Sequence, residues 1–345
     1  MQSILRSCPS LTSVQTRVTR RLWSACMLAA AAATMAPGAW AQAGSYPSKP
    51  IVFVVPYAAG GSSDTRSRQL AKKMEDYLGQ RVVVENRPGA SGNIGTQAIA
   101  TAKPDGYMIG LGNFAPMSVN QALYGKLAYD PKKDLEPIAL LEKGPLVLGV
   151  SASAPYKTLA EFLAWSKRKP GGFSYASTGA GGASNLVAEL FKDTAKFDAV
   201  HVPYRGGAPA INDIMGGSTD FMMDLASLFI PHATGDSPRI RILAVTAEKR
   251  LPALPDVPTF AELGYPTMNA SNWFGVIAPK GVPPEVIAKL NEAVNRATQD
   301  PAYRKVVADQ GAEVGGGTPA NFSSFVETES QRWTKLIRDK GIKVD

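Results

Sequence analysis

The sequence predicts an α/β protein built as two doubly wound α/β domains with a cleft between them. Three observations predict it. Short continuous apolar runs of strand length recur from Tyr46 onward, glycine-rich turns follow several of them, and amphipathic helical segments follow those turns. At 345 residues, 45% apolar and 19% charged, the chain is long enough for two separate cores. The same composition excludes a disordered tail, a collagen-like fibre and a polytopic membrane protein.

The first 41 residues read as an export leader. Arg20-Arg21 closes a basic segment, an apolar stretch runs from Leu22 to Met35, and Pro37-Gly38 breaks it before Ala39-Trp40-Ala41. That order matches a signal peptide cleaved before Gln42, and the paired arginines are also compatible with the twin-arginine route. An uncleaved anchor is the alternative, because Leu22 to Ala41 is just long enough to cross a bilayer. Both cysteines, Cys8 and Cys26, lie in this segment, so the expected mature chain has no disulfide or thiolate metal site. Four arginines and no acid lie here too, which leaves 33 basic against 29 acidic residues elsewhere. No basic stripe remains, and a nucleic-acid partner is not expected.

Ile51–Val55 reads as a strand buried on both faces. A turn, Tyr57–Asp64, leads to a helix ending near Leu78, with Leu70, Met74 and Leu78 on one face and Gly79 as its stop. Strand 82–85, a loop 88–95, a short helix 96–102 and strand 108–112 follow. Pro145–Val150 is read as the crossing into the second domain. There the rhythm restarts with helix 159–169, strand 173–176, a glycine loop 177–184 and a helix 185–195. Strand 199–204, helix 209–215 and strands 220–224 and 240–245 continue it. Helices 284–299 and 319–340 close the chain, the last with Thr318 as N-cap, Pro319 in its first turn and Phe322, Phe325, Val326 and Trp333 as its apolar face. The expected partition is 42–148 plus 271–345 for one domain and 149–270 for the other. Alternating βα units predict parallel sheets, which bind ligands at the carboxyl ends of their strands.

Two junctions carry the chemistry. Gly60-Gly61-Ser62-Ser63-Asp64 lies between a strand and a helix, where glycines admit close approach and the first helical N–H groups lack an intrahelical partner. It reads as an anion cradle or as an ordinary turn with Ser62, Ser63 or Asp64 as N-cap. Ser177-Thr178-Gly179-Ala180-Gly181-Gly182-Ala183-Ser184 repeats the device in the second domain, and two such corners can face each other across one cleft. Gly179–Ser184 also approximates a dinucleotide fingerprint, with Arg205 placed for a 2′-phosphate or as a turn residue. The export leader argues against a nicotinamide cofactor, and no cofactor is expected.

Catalytic hardware is scarce. There is no Gly-x-Ser-x-Gly elbow, no His-Glu-x-x-His and no Walker lysine, and no metal site is expected. Of the two histidines, His201 lies in an apolar strand and His232 has no acidic neighbour to orient it. This favours binding over turnover. Tyr57, Phe114, Tyr204 and Trp273 lie near the loops as core or as ligand-shaping rings, and Asp224 ends a strand as a ligand contact or a helix cap.

Several motifs then resemble one family. Val54–Asp64, Val84–Gly95, Ala102–Tyr107, Val202–Ala210, Asp256–Gly264 and Trp273–Pro279 are similar, in order, to the Bug or TctC-like extracytoplasmic solute receptors. The resemblance covers essentially all of the chain after the leader. It implies a type II periplasmic binding protein, a ligand bearing a carboxylate, and integral membrane subunits of a tripartite tricarboxylate transporter as partners. It implies that backbone amides, hydroxyls and waters at Tyr57–Asp64 and Ser177–Ser184 hold the acid, without an arginine clamp. Gly60, Gly61, Ser62, Thr178, Gly179 and Ser184 are the expected donors, with Tyr57, Phe114, Tyr204, Asp224 and Trp273 lining the variable end. Ala58-Ala59 and Gly112–Met117 depart from the family's commonest patterns, and Phe114 points to an apolar or aromatic carboxylate. An exported α/β enzyme acting on a carboxylate and a receptor for a signalling partner are the alternatives.

Overall fold

The computed structural model describes residues 46–343. The chain divides into Met1–Ser48 and Lys49–Asp345, and the fold described below belongs to the second unit. The leader reading falls on 1–41, outside the described residues.

The first βα units form as their patterns predict. β1 (Ile51–Val55) runs parallel to β2 (Val82–Asn86) and β3 (Met108–Asn113). α1 (Ser62–Leu78) buries Leu70, Met74 and Leu78, and Gly79 ends it at φ 66°, donating to the Glu75 carbonyl. α2 (Asn93–Ala100) follows β2, and a π-turn at Ala115–Val119 leads from β3 into α3 (Asn120–Tyr124).

β4 (Leu135–Ser151) is the long strand of the fold. The sequence reading takes only Pro145–Val150, within its last third, as a crossing between domains, because Glu136, Pro137, Glu142 and Lys143 interrupt the apolar run. After β4 come α4 (Leu159–Ser166), β5 (Ser174–Ser177), α5 (Ala183–Ala195), β6 (Val200–Pro203), α6 (Gly207–Gly216), β7 (Phe221–Leu225), α7 (Ala226–Ala233) and β8 (Ile240–Val245). The chain returns through β9 (Ser271–Pro279) and finishes with α8 (Pro284–Gln299), α9 (Pro301–Asp309), β10 (Glu313–Gly316) and α10 (Pro319–Lys340). The sequence reading named neither α9 nor β10.

The strand order is β2-β1-β3-β9-β4-β7-β5-β6, with β8 and β10 also paired to β4. The parallel expectation holds for β1–β3 and for β5–β7, and fails at the centre. β9 is antiparallel to β3 and β4, and β4 is antiparallel to β7, β8 and β10. β4 pairs with β9 over Leu135–Pro145 and with β7 and β8 from Leu146 on, so one strand carries both ends of the molecule.

Packing explains the arrangement. Adjacent β9 residues point to opposite faces. Trp273 meets Phe322 and Phe325 edge-on, while Phe274 lies under the Arg66 guanidinium of α1. A methyl at Gly275 would sit 2.1 Å from the Phe322 ring, so that glycine lets α10 lie against the strand. Thr318 and Asn321 form a capping box at the start of α10. Phe162 of α4, Phe191 of α5 and Phe221 of β7 pack with Phe173 and Phe197 as one aromatic cluster. Among the described residues, no helix is long and apolar enough to cross a membrane.

Candidate functional site

The parallel strands β1, β3 and β5 end at one cavity of about 300 Å³. Tyr57 enters it from the β1–α1 turn and Ser63 from the first turn of α1, Asn113 and Phe114 from the end of β3, and Thr178 through Gly182 from the turn after β5, with Ala183 at the start of α5. Ser91, Asn272 and Phe274 complete the wall. None of the lining residues is charged.

The two turns are built alike. The N-cap of α1 is Gly61 and that of α5 is Gly182, and neither helix receives a side-chain cap. Ser62, Ser63 and Asp64 are therefore inside α1 rather than capping it. First-turn N–H groups have no carbonyl four residues back, so two uncapped helix ends reach the cavity with open donors and a positive dipole end. Such an end is worth up to about 2 kcal/mol to an anion when partly buried.

Other amides of the turns are committed internally. Gly60 N–H donates to Asp64 Oδ2 at 2.9 Å, and Asn86 and Arg68 donate to the same carboxylate. The Arg68 and Gly60 bonds hold Asp64 down at about 2, so it is an ionised brace for the first turn. Gly181 N–H donates to Asn185 Oδ1, and Gly179 N–H donates to Ser177 Oγ. Ser184 Oγ donates to the Met223 carbonyl at 2.6 Å. The side chain of Ser62 lies outside the described residues.

A polar chain fixes one wall. Tyr57 Oη donates to Asn113 Oδ1 at 2.6 Å, and Asn113 Nδ2 donates to the Trp273 carbonyl at 2.7 Å and to Asn272 Oδ1 at 3.0 Å. Those partners fix the orientation of the Asn113 amide. Burial, with Tyr129 nearby, pushes the Tyr57 phenol up, so it stays a neutral donor. Phe114 closes the wall, buried edge-to-face on Trp333 at 5.2 Å.

The sequence-derived residues thus separate into two groups. Tyr57, Phe114, Thr178 and Gly179 line the cavity, and Gly61 caps the helix that enters it. Tyr204 Oη instead donates to Asp213, Trp273 packs in the core and reaches the site through its carbonyl, and Ser177 bonds His201. Asp224 is buried behind the second turn. One of its oxygens accepts from Leu225 N–H, the other has no partner, and burial raises its carboxyl to about 6. Asn113 lies one residue past the expected end of the third strand, Ser91 lies in the 88–95 loop without having been singled out as a site residue, and Asn272 carried no motif. Among the described residues, no group of three or more His, Cys, Asp or Glu is placed to hold a metal.

The family model described as "Tripartite tricarboxylate transporter family receptor" matches residues 67–342. Protein BugT of Bordetella pertussis is 37% identical over 313 residues, spanning 90% of this chain and 95% of that protein. The solved structure of Rhodopseudomonas palustris MatC with bound malate is 33% identical, with a TM-score of 0.74, covering 85% of this chain and all of MatC. That of R. palustris Rpa4515 with adipate is 32% identical, with a TM-score of 0.78, covering 87% of this chain and all of Rpa4515.

Proposed function

We propose a carboxylate receptor from one premise: this chain belongs to the tripartite tricarboxylate transporter receptor family. It captures a small organic carboxylate and delivers it to a membrane transporter. The fold is that of the family's periplasmic binding proteins.

One observation carries the ligand class. Two uncapped helix N-termini, at Gly61 and Gly182, end at a single cavity with no charged lining residue. Dipole ends, amides and the Ser63 and Thr178 hydroxyls suit an oxyanion, and a carboxylate is the anion the relatives point to. MatC carries malate and Rpa4515 adipate, which makes short dicarboxylates the first class to test.

The finer reading follows from the same site. Residues 42–148 with 271–345 form one lobe and 149–270 the other, and closure brings the two glycine turns onto one carboxylate. The leader at 1–41 is removed on export to the periplasm, and the closed form is presented to the integral subunits of a tripartite tricarboxylate transporter. Thermal unfolding of refolded, ligand-stripped protein tests the ligand class. The correct acid at a hundredfold excess over its dissociation constant stabilises by about 2.7 kcal/mol. A panel of malate, adipate, tricarboxylates, amino acids and aromatic acids that leaves the melting temperature unmoved overturns the reading.

A further inference from the structure

Ser177 and His201 form a pair that carboxylate capture alone does not explain. Ser177 is fully buried at the end of β5, and His201 on the neighbouring β6 places Nε2 2.6 Å from its hydroxyl oxygen. The same oxygen lies 3.2 Å from the Gly179 nitrogen and 3.1 Å from the Gly179 carbonyl oxygen. Gly179 is part of the cavity wall and stands at φ 134°, with nothing within 4 Å of the place a Cβ would occupy. The space on that side is open, and Ser177 Oγ lies within hydrogen-bond reach of both the N–H and the carbonyl of Gly179.

A serine hydroxyl has one hydrogen and two lone pairs. With Nε2 unprotonated, Ser177 donates to the imidazole and accepts the Gly179 N–H, and the Gly179 carbonyl receives no hydrogen from it. With Nε2 protonated, the imidazole donates to Ser177, and the hydroxyl turns its hydrogen to the Gly179 carbonyl. The N–H and C=O of Gly179 are both tied only in the second arrangement, which a neutral ring reaches in one of its two tautomers and the charged ring always holds.

The surroundings hold the ring and bias its charge. Tyr175 stacks on His201 at 4.8 Å, and from α5 the Glu189 carboxylate and the Lys192 ammonium face the pair. Burial lowers the affinity of His201 for a proton, Glu189 partly restores it and Lys192 opposes. Asp224 of β7 is buried behind the same turn, and burial raises its carboxyl to about 6.

We propose that His201 acts through Ser177 as a positioning residue of the ligand turn, so that its protonation ties down the Gly179 peptide and tightens anion capture. The second half of that statement rests on the cavity being the carboxylate site, and the first half does not. An anion bound near the charged imidazole raises its proton affinity, so by linkage affinity rises as pH falls.

Nuclear magnetic resonance of the ¹⁵N-labelled full chain tests the relay without a ligand. The Gly179 amide resonance is expected to shift with the midpoint of His201 in the wild type and in Asp224→Asn, and to be flat with pH when Ser177→Ala or His201→Gln is added to Asp224→Asn. A flat Gly179 resonance in the wild type, or one that still follows His201 in Ser177→Ala, overturns the relay. Calorimetry with malate and adipate tests the coupling in the Asp224→Asn background. Affinity is expected to rise about threefold or more from pH 7.5 to 5.5 and to lose that slope in His201→Gln. Binding that is flat with pH while His201 is intact overturns the coupling. If neither acid binds, the receptor reading fails on its own, and the Gly179 titration still decides the relay.

Discussion

Gly61 and Gly182 stand at matching posts with the same backbone, φ −78° and ψ 171° in one, φ −77° and ψ 170° in the other. Each precedes a helix entering the cavity, and each lacks the side-chain oxygen that serine, threonine, aspartate or asparagine brings to an N-cap. Both angles suit any L-residue, so conformational need does not explain glycine at either post. An external oxyanion does, because a capping side chain would occupy its donors.

Installing such a side chain separates stability from binding. In Gly182→Asp the added Cβ has room, its nearest neighbour being the Gly179 carbonyl at 3.8 Å. The new carboxylate caps α5 and stabilises by a few tenths of a kcal/mol, at about the level of a glycine-to-aspartate cap change. It also takes the donors a ligand would use and repels its charge, so affinity for the bound acid falls by about tenfold or more. Melting and calorimetry on the same sample check both halves. An unchanged affinity would remove the α5 end from the site.

Asp224 predicts a stability that falls with rising pH. Its buried carboxyl titrates at about 6 against 3.8 for the ordinary group, so between those values the folded state holds a proton the unfolded state has lost. The contribution is complete below pH 4 and is lost as pH climbs through 6, a difference of about 3 kcal/mol. Asp224→Asn removes the ionisable oxygen that has no partner. The variant is expected to be more stable than wild type by about 1–3 kcal/mol at pH 7.5 and to converge with it near pH 4. Urea unfolding at both pH values reads this directly. A variant less stable at pH 7.5 would mean that the ionised carboxylate has a partner.

What the sequence conveyed and what it withheld have physical causes. Helices at Ser62–Leu78, Pro284–Gln299 and Pro319–Lys340 follow their apolar periodicity and caps, because local spacing alone decides which face is buried. Gly60-Gly61 and Gly179–Gly182 stood out because glycine density at a strand–helix junction is itself the device. Asn113 and Asn272 did not, since what places them is the pairing of β3 with the returning β9, a contact between residues 159 apart. The first half of β4 was hidden because Glu142 is a charge in a central strand. Only a buried partner from α1, Arg66, makes that position tolerable.

That pair yields a stability prediction. Arg66 Nε contacts Glu142 Oε1, both side chains are buried, and the other Glu142 oxygen has no partner. Burial raises the Glu142 carboxyl and the guanidinium opposes it. Glu142→Ala leaves an unpaired buried cation and is expected to cost about 3–5 kcal/mol. Arg66→Met with Glu142→Leu removes both charges and is expected to restore most of that loss. Denaturant midpoints of the single and double variants check it, and a double variant no better than the single would assign the loss to packing.

Tyr57 and Asn113 are joined more tightly than a surface hydrogen bond requires, at 2.6 Å, with the Asn113 amide held from behind by the Trp273 carbonyl and Asn272. Their bond therefore sets where the Tyr57 ring stands in the cavity wall. Tyr57→Phe leaves Asn113 Oδ1 short of a donor but keeps the ring, and Asn113→Ala removes the brace and leaves the phenol without an acceptor. A double-mutant cycle on stability is expected to return a coupling of about 1 kcal/mol. The same cycle on affinity discriminates between two roles for the phenol. If Tyr57 only shapes the wall, Tyr57→Phe binds nearly as well as wild type and Asn113→Ala binds worse. If its hydroxyl meets the ligand, Tyr57→Phe is the weaker binder. The wall-shaping order is the expected one, because the hydroxyl hydrogen is already committed to Asn113.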